Sequence, residues 1–388
     1  MRARSTIWLL LILIVACVDP LKIKLLPVTE KLVVDGLITN EAGPYEVRLS
    51  YSLGFDNTTL KKPTMVTGAS VWIIDDLGSS EKLIEESSGI YKTSINGIQG
   101  IVGRAYSLKI RTASGHEYQS APQRMTPSGE INDVSFEFVP QGLKGNGKND
   151  YIDALRILVD AKGVEGERNL LRWRWTYIYK ARTFPEYRIT ASVVTSNGLF
   201  YWRVSPIPEP CSGYVRDNVT SVVLTQYPPP GFGIKKVAEC TCCECWPFGY
   251  NIEPYISHNR VFDDMEFRDV DLGLIPATSM PFYDKYYLNV EQLSLSDEEY
   301  EFWNLVDMQK SAQGNIFQPN SVRVRSNVKS LTDPEEEVLG LFGVSGITRK
   351  EMYIPKEVVP YKLHDIDTIT HDCSDSFQNV YKVKPAFW

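Results

Sequence analysis

Cysteine placement is the sharpest chemical signal in this chain. Cys17 closes an apolar run that begins at Ile7 behind a basic start at Arg2 and Arg4, and Ile14-Val15-Ala16 precedes it. An aliphatic residue three before the Cys and a small residue directly before it resemble a lipobox, with the Cys17 thiol as the acylation point. The apolar run is too short to span a bilayer as a mature helix. Residues 1–16 are therefore expected to be a lipoprotein signal peptide and 17–27 a lipidated spacer. Acyl chains contribute about 0.8 kcal/mol per buried methylene, so several together anchor stably. This covalent lipid is the only non-protein group expected; no cofactor is.

Six further cysteines follow: Cys211, Cys240, Cys242, Cys243, Cys245 and Cys373. An even number in an exported chain reads as disulfides. Cys240-Thr241-Cys242-Cys243-Glu244-Cys245 also interlaces two C-x-x-C spacings. Thiolates so spaced suit Cu(I) or Zn(II), and a C-x-x-C pair suits thiol exchange. The oxidising compartment favours disulfides over a metal site at Cys240, Cys242, Cys243 and Cys245. A bond between the adjacent Cys242 and Cys243 would be strained, so each is expected to pair elsewhere. At least one of Cys211 and Cys373 is expected to bond to the 240–245 segment.

Other side chains invite weaker readings. Trp173, Trp175, Tyr177 and Tyr179 share one face of a strand by period 2, with Arg172, Arg174 and Thr176 on the other. The aromatic row could stack sugars, but a packed ladder is the expected reading. Asp263, Asp264, Glu266, Asp269 and Asp271 match no calcium-loop spacing and read as a solvated face. Of His116, His258, His364 and His371, only His371 lies near a Cys, and a Cys–His nucleophile needs more than adjacency. No nucleophile elbow, P-loop, dinucleotide fingerprint or H-E-x-x-H is present in the sequence. The chain is expected not to be an enzyme.

The elements that would carry these residues are mostly strands. The chain has 388 residues, with 21 Tyr, 15 Phe and 8 Trp, a content that favours sheet. Residues 28–127 read as an immunoglobulin-like β-sandwich. Their strands include Lys31–Gly36, Tyr45–Tyr51, Ala105–Ile110 and one with its turn within Gly68–Gly78, with Gly and Asp turns between. Pro127-Ser128-Gly129 reads as a linker. Residues 128–388 read as a larger antiparallel β-rich domain, sandwich- or barrel-like, with few helices. Ser296-Asp297-Glu298-Glu299 is a capping box and predicts one helix near 296–312, with Gly314 as its stop. Strands are predicted over Ser321–Val328 and Val338–Val344. The formal charge is −7, and loss of Arg2 and Arg4 lowers it by two to about −9. An acidic body excludes nucleic acid as a partner.

The order of these pieces resembles the DUF4249 family of Bacteroidota lipoproteins. The resemblance rests on Cys17 in its lipobox and on Leu32-Val33-Val34-Asp35-Gly36-Leu37-Ile38. It rests also on Gly68-Ala69-Ser70-Val71-Trp72-Ile73, Gly314-Asn315-Ile316-Phe317, and Val338-Leu339-Gly340-Leu341-Phe342-Gly343-Val344-Ser345. It implies an outer-membrane lipoprotein, of a kind often encoded beside TonB-dependent receptors, with no catalytic residues established. Val18-Asp19-Pro20-Leu21-Lys22 holds one acid, where surface-exported lipoproteins of that phylum carry an acidic run. The expected location is the outer membrane, cell-surface facing rather than periplasmic. The expected role is a non-catalytic binding or accessory subunit of an outer-membrane β-barrel: a lid, ligand-capture subunit or extracellular canopy. The alternatives are a surface hydrolase of glycans or peptides, and a metal-handling lipoprotein built on the Cys cluster.

Overall fold

The computed structural model describes residues 30–53, 62–145, 147, 150–196, 199–217, 222–223, 233–251, 253–257, 265–312, 323–360 and 368–388. Cys17, His258, His364, Asp263, Asp264 and the segment from Gly314 to Phe317 lie outside them. The chain is mainly β, with several antiparallel sheets. Two α-helices occur among the described residues: Asp297–Ala312, here α1, and the single turn Cys373–Ser376, here α2. No described helix is long and apolar enough to cross a membrane.

Two six-stranded sheets face each other in the first half. One runs in the order Leu339–Ser345, Leu32–Thr39, Glu46–Tyr51, Ile90–Lys92, Ile84–Ser87, with Thr64–Met65 beside Glu46–Tyr51. The other runs Val328–Ser330, Glu117–Ser120, Ala105–Arg111, Ser70–Asp75, Ser80–Lys82, with Gln123–Arg124 beside Ala105–Arg111. Alternation decides which side chains meet between them. Leu32, Val34, Ile38, Val47, Leu49, Val71, Ile73, Leu108 and Ile110 all turn inward and are fully buried.

This sandwich corrects the boundary placed at residue 127. Val328, Val338, Phe342 and Val344 belong to its core. Leu339–Ser345 pairs in parallel with Leu32–Thr39, from Val33 opposite Leu339 to Thr39 opposite Ser345. Gly340 makes this approach feasible: its φ is +85°, and a Cβ there would overlap the carbonyl of Val34. The strand predicted over Ser321–Val328 is shorter and later, at Val328–Ser330. Just upstream, the Asn327 side chain takes a strand's part by binding both backbone groups of Phe342, through Nδ2 to O at 2.7 Å and from N to Oδ1 at 3.0 Å.

The predicted linker is likewise a clamped joint. The Ser294 hydroxyl donates to the Thr126 carbonyl and Gln292 Nε2 to the Ser128 carbonyl, both at 2.6 Å. The Gly346 amide donates to Thr126 as well. Local polarity and a Gly point to a free connector; long-range partners for its backbone hold it in place instead.

In the second half a three-stranded sheet, Glu130–Lys144, Tyr151–Lys162 and Glu266–Pro276, packs on a seven-stranded one. The latter runs Ala181–Arg182, Glu244–Tyr250, Leu171–Tyr179, Lys285–Ser294, Ile347–Pro355, with Tyr255–Ile256 and Val380–Tyr381 at its side. Leu155, Ile157, Val159, Trp173, Leu272, Phe282, Leu288 and Val290 fill the space between the two sheets. Only Gly346 separates Leu339–Ser345 from Ile347–Pro355, so one chain segment runs from the first sandwich directly into the second.

Candidate functional site

The same alternation that fills the two cores also leaves each main sheet with a back face. In Leu32–Thr39, Val34 and Ile38 point into the sandwich, while Val33, Asp35 and Leu37 point away. In Leu339–Ser345, Phe342 and Val344 point inward, while Leu341, Gly343 and Ser345 point away. In Leu171–Tyr179, Trp173 and Trp175 enter the second core, while Arg172, Arg174 and Thr176 point away. Those three outward sets line one cleft of about 660 Å³, closed on one side by Phe302, Trp303 and Val306 of α1. This is the candidate site, because it joins both halves and collects charged groups from both.

Helix α1 is set in place by its cap. The Ser296 amide donates to Glu299 Oε2 at 2.8 Å, and the Glu299 amide donates to Ser296 Oγ at 3.2 Å, as the capping box predicts. The other Glu299 oxygen accepts from the Val344 amide at 2.7 Å. One buried carboxylate thus ties the start of α1 to the strand that completes the first sandwich. Burial pushes its pKa up to about 7, although both amide donors pull it down. The Tyr300 hydroxyl, donating to the Ser257 carbonyl at 2.6 Å, fixes the next turn.

The remaining charges are mostly paired. Arg174 Nε donates to Glu291 at 2.5 Å, and Arg349 bridges Glu291 at 3.0 Å to Glu41 of the first sandwich at 2.7 Å. Arg48 pairs with Glu46, which Lys92 also approaches at 3.7 Å. Arg172 is different. Its guanidinium lies 3.5 Å over the Trp303 ring, and no ion pair to a carboxylate is formed among the described residues. Desolvation, then the nearby Arg174 charge, pulls its pKa down to about 9. Catalysis by paired acids would need free carboxylate oxygens facing a substrate. Here the two buried acids, Glu291 and Glu299, are held by two arginines and by two amides.

The predicted site residues fall elsewhere. All six described cysteines form disulfides: Cys211–Cys242, Cys240–Cys243 and Cys245–Cys373. Both Cys211 and Cys373 reach the 240–245 segment, and Cys242 and Cys243 pair apart. This overturns the metal reading of Cys240, Cys242, Cys243 and Cys245, because a disulfide sulfur is no thiolate ligand. The close grouping of Cys211, Cys242 and Asp372 is one disulfide beside a carboxylate that caps α2 through the Ser374 amide at 2.7 Å. Cys373 is spent in the same way, so His371 has no nucleophile to activate; it sits exposed, 3.9 Å from Glu209.

The aromatic face packs, as expected. Trp173 and Trp175 are buried, and their indole N–H groups donate to Gln292 Oε1 at 2.8 Å and to the Leu272 carbonyl at 2.9 Å. Tyr177, Tyr179 and Tyr286 stack on one another. Of the acidic stretch, Glu266 pairs with Arg268 and Asp271 with Arg156. His116 is exposed beside Glu336. The functional candidate that sequence reasoning passes over is the Arg172–Trp303 pair. Its signal lies in the chain all the same: charged residues on the back of a strand whose other face carries Leu171 and four aromatics.

No curated protein and no solved structure matches this chain. The family model described as "Domain of unknown function (DUF4249)" matches residues 18–351. That span contains both strands of the parallel pair and all the residues lining the cleft, and the chain belongs to this family.

Proposed function

We propose that this protein is a lipid-anchored, non-catalytic subunit that captures a ligand for an outer-membrane β-barrel. Cys17 is the proposed anchor, and the body faces the cell surface. The observation that carries the reading is the cleft between the two halves: a pocket of small-molecule size whose buried acids are locked in structural bonds. Three disulfides support an exported, oxidising setting. The test has two parts. Cys17→Ser should release the protein from the membrane fraction with its fold intact, because only the thiol accepts the acyl-bearing group; unchanged fractionation rejects the anchor. Affinity recovery of the wild-type chain from detergent-solubilised outer membranes should bring down a barrel protein in near-stoichiometric yield. Recovery without any barrel protein rejects the partnership.

A further inference from the structure

The charges of the cleft are not all satisfied within the protein. Arg172 Nε is shielded from water and has no hydrogen-bond partner, while the side chain as a whole is half-buried and lines the cleft. Asp35, Glu299 and Glu291 act on it electrostatically, but none forms an ion pair with it. A desolvated cation with an unmet donor is costly, and an anion placed against the guanidinium relieves that cost. The stack on Trp303 fixes the plane of the guanidinium, so its donor fork is already oriented before anything arrives.

The surroundings narrow the class of anion. Asp35, Glu46, Glu291 and Glu299 line the same cleft. Glu46, Glu291 and Glu299 are engaged as described above, and Asp35 is exposed, where water screens it. One unpaired guanidinium among these acids favours a single negative charge over a dianionic phosphate. The cleft is also lined by the apolar Leu295, Phe302, Val306 and Leu341. A planar donor fork matches a carboxylate, and these apolar side chains suit a hydrocarbon body.

We infer that the cleft binds a small organic monocarboxylate, with its carboxylate on the Arg172 guanidinium and its apolar body against Phe302, Val306 and Leu341. This deepens the ligand-capture reading and rests on it. It needs no barrel partner, so its test and the membrane pull-down fail separately.

The test is a calorimetric titration of the full mature chain carrying Cys17→Ser, which frees it from detergent. The probes are hexanoate, hexanamide and hexyl phosphate. Hexanoate should bind one to one and about tenfold or more tighter than hexanamide. Arg172→Gln should bring hexanoate down to the level of hexanamide and leave hexanamide unchanged. If Arg172→Gln does not fold, Trp303→Leu should weaken hexanoate several-fold by freeing the guanidinium. Equal binding of hexanoate and hexanamide overturns the inference, as does no binding of hexanoate at about 10 mM. So does tighter binding of hexyl phosphate, or full hexanoate affinity in the folded Arg172→Gln or Trp303→Leu protein.

Discussion

Glu299 shows how one side chain is made structural by its surroundings. It is almost wholly buried, yet accepts two backbone N–H groups, one from its own cap and one from Val344 across the cleft. Its pKa is raised from 4.5 to about 7 because burial outweighs those bonds. Below about pH 4.5 the carboxyl is protonated in both folded and unfolded chains. Between about 4.5 and 7 the unfolded chain has released the proton and the folded chain still holds it, so this group lowers stability as pH rises. Glu299→Gln removes that dependence and leaves one amide without an acceptor, at a cost of about 1–3 kcal/mol. Urea unfolding of both proteins should therefore show the wild-type advantage shrinking by about 1–3 kcal/mol from pH ~5 to pH ~7.5. An advantage that stays constant across that range rejects the titration. Gly340 offers a second test. Ala there would have to adopt φ +85° and displace the Val34 carbonyl. Gly340→Ala should cost about 3 kcal/mol or more, and a urea midpoint unmoved from wild type would contradict the close parallel pairing.

Among the elements, the strand Glu244–Tyr250 depends most on covalent help. It pairs with three short partners' worth of chain: Ala181–Arg182, the end of Leu171–Tyr179, and Val380–Tyr381. The Cys245–Cys373 bond joins it to α2 across a sequence separation of 128, and Cys211–Cys242 closes one of 31. Loop-closure entropy assigns these about 5 and about 4 kcal/mol. The double variant Cys245→Ala, Cys373→Ala should lose about 3–5 kcal/mol and lower the calorimetric midpoint by several degrees. An unchanged midpoint would mean that the packing of Ala181, Phe377 and Val380 around the bond suffices without it. Helix α1 needs no such staple. Its capping box, its Tyr300 bond and the Arg172–Trp303 stack fix it from three directions.

Across the whole molecule, the two halves interlock rather than follow one another. The first core takes Phe342 and Val344 from about three hundred residues further along the chain, and the joint at Thr126–Ser128 is bonded to Ser294, Gln292 and Gly346. A fragment of residues 28–127 would leave the Leu32–Thr39 edge unpaired and the core without four apolar residues. It should give no cooperative urea transition, and a sharp transition with near-native midpoint would show that the two halves are separable after all. The full chain should melt with its halves coupled, because Leu339–Pro355 crosses from one to the other almost without a break.

Local rules make much of this molecule legible in its sequence. Period 2 identifies the strands and sorts Trp173 and Trp175 from Arg172 and Arg174. The Ser296–Glu299 spacing locates α1, and the even cysteine count with a 240–245 cluster anticipates the disulfides. Each of these depends on neighbours within a few residues or on simple chemistry. The lipobox reading of Cys17 is of the same local kind and lies outside the described residues. Partner choice is another matter. Alternation says which face of Leu339–Ser345 is apolar, but not that its neighbour is Leu32–Thr39, hundreds of residues away. That pairing is set by the summed burial of both edges against the chain entropy of bringing them together. The cleft follows from it: Asp35, Arg172, Gly343 and Trp303 meet only because the back faces of two sheets and one helix converge. No spacing along the chain encodes that meeting, which is why the Arg172 site appears only in the folded protein.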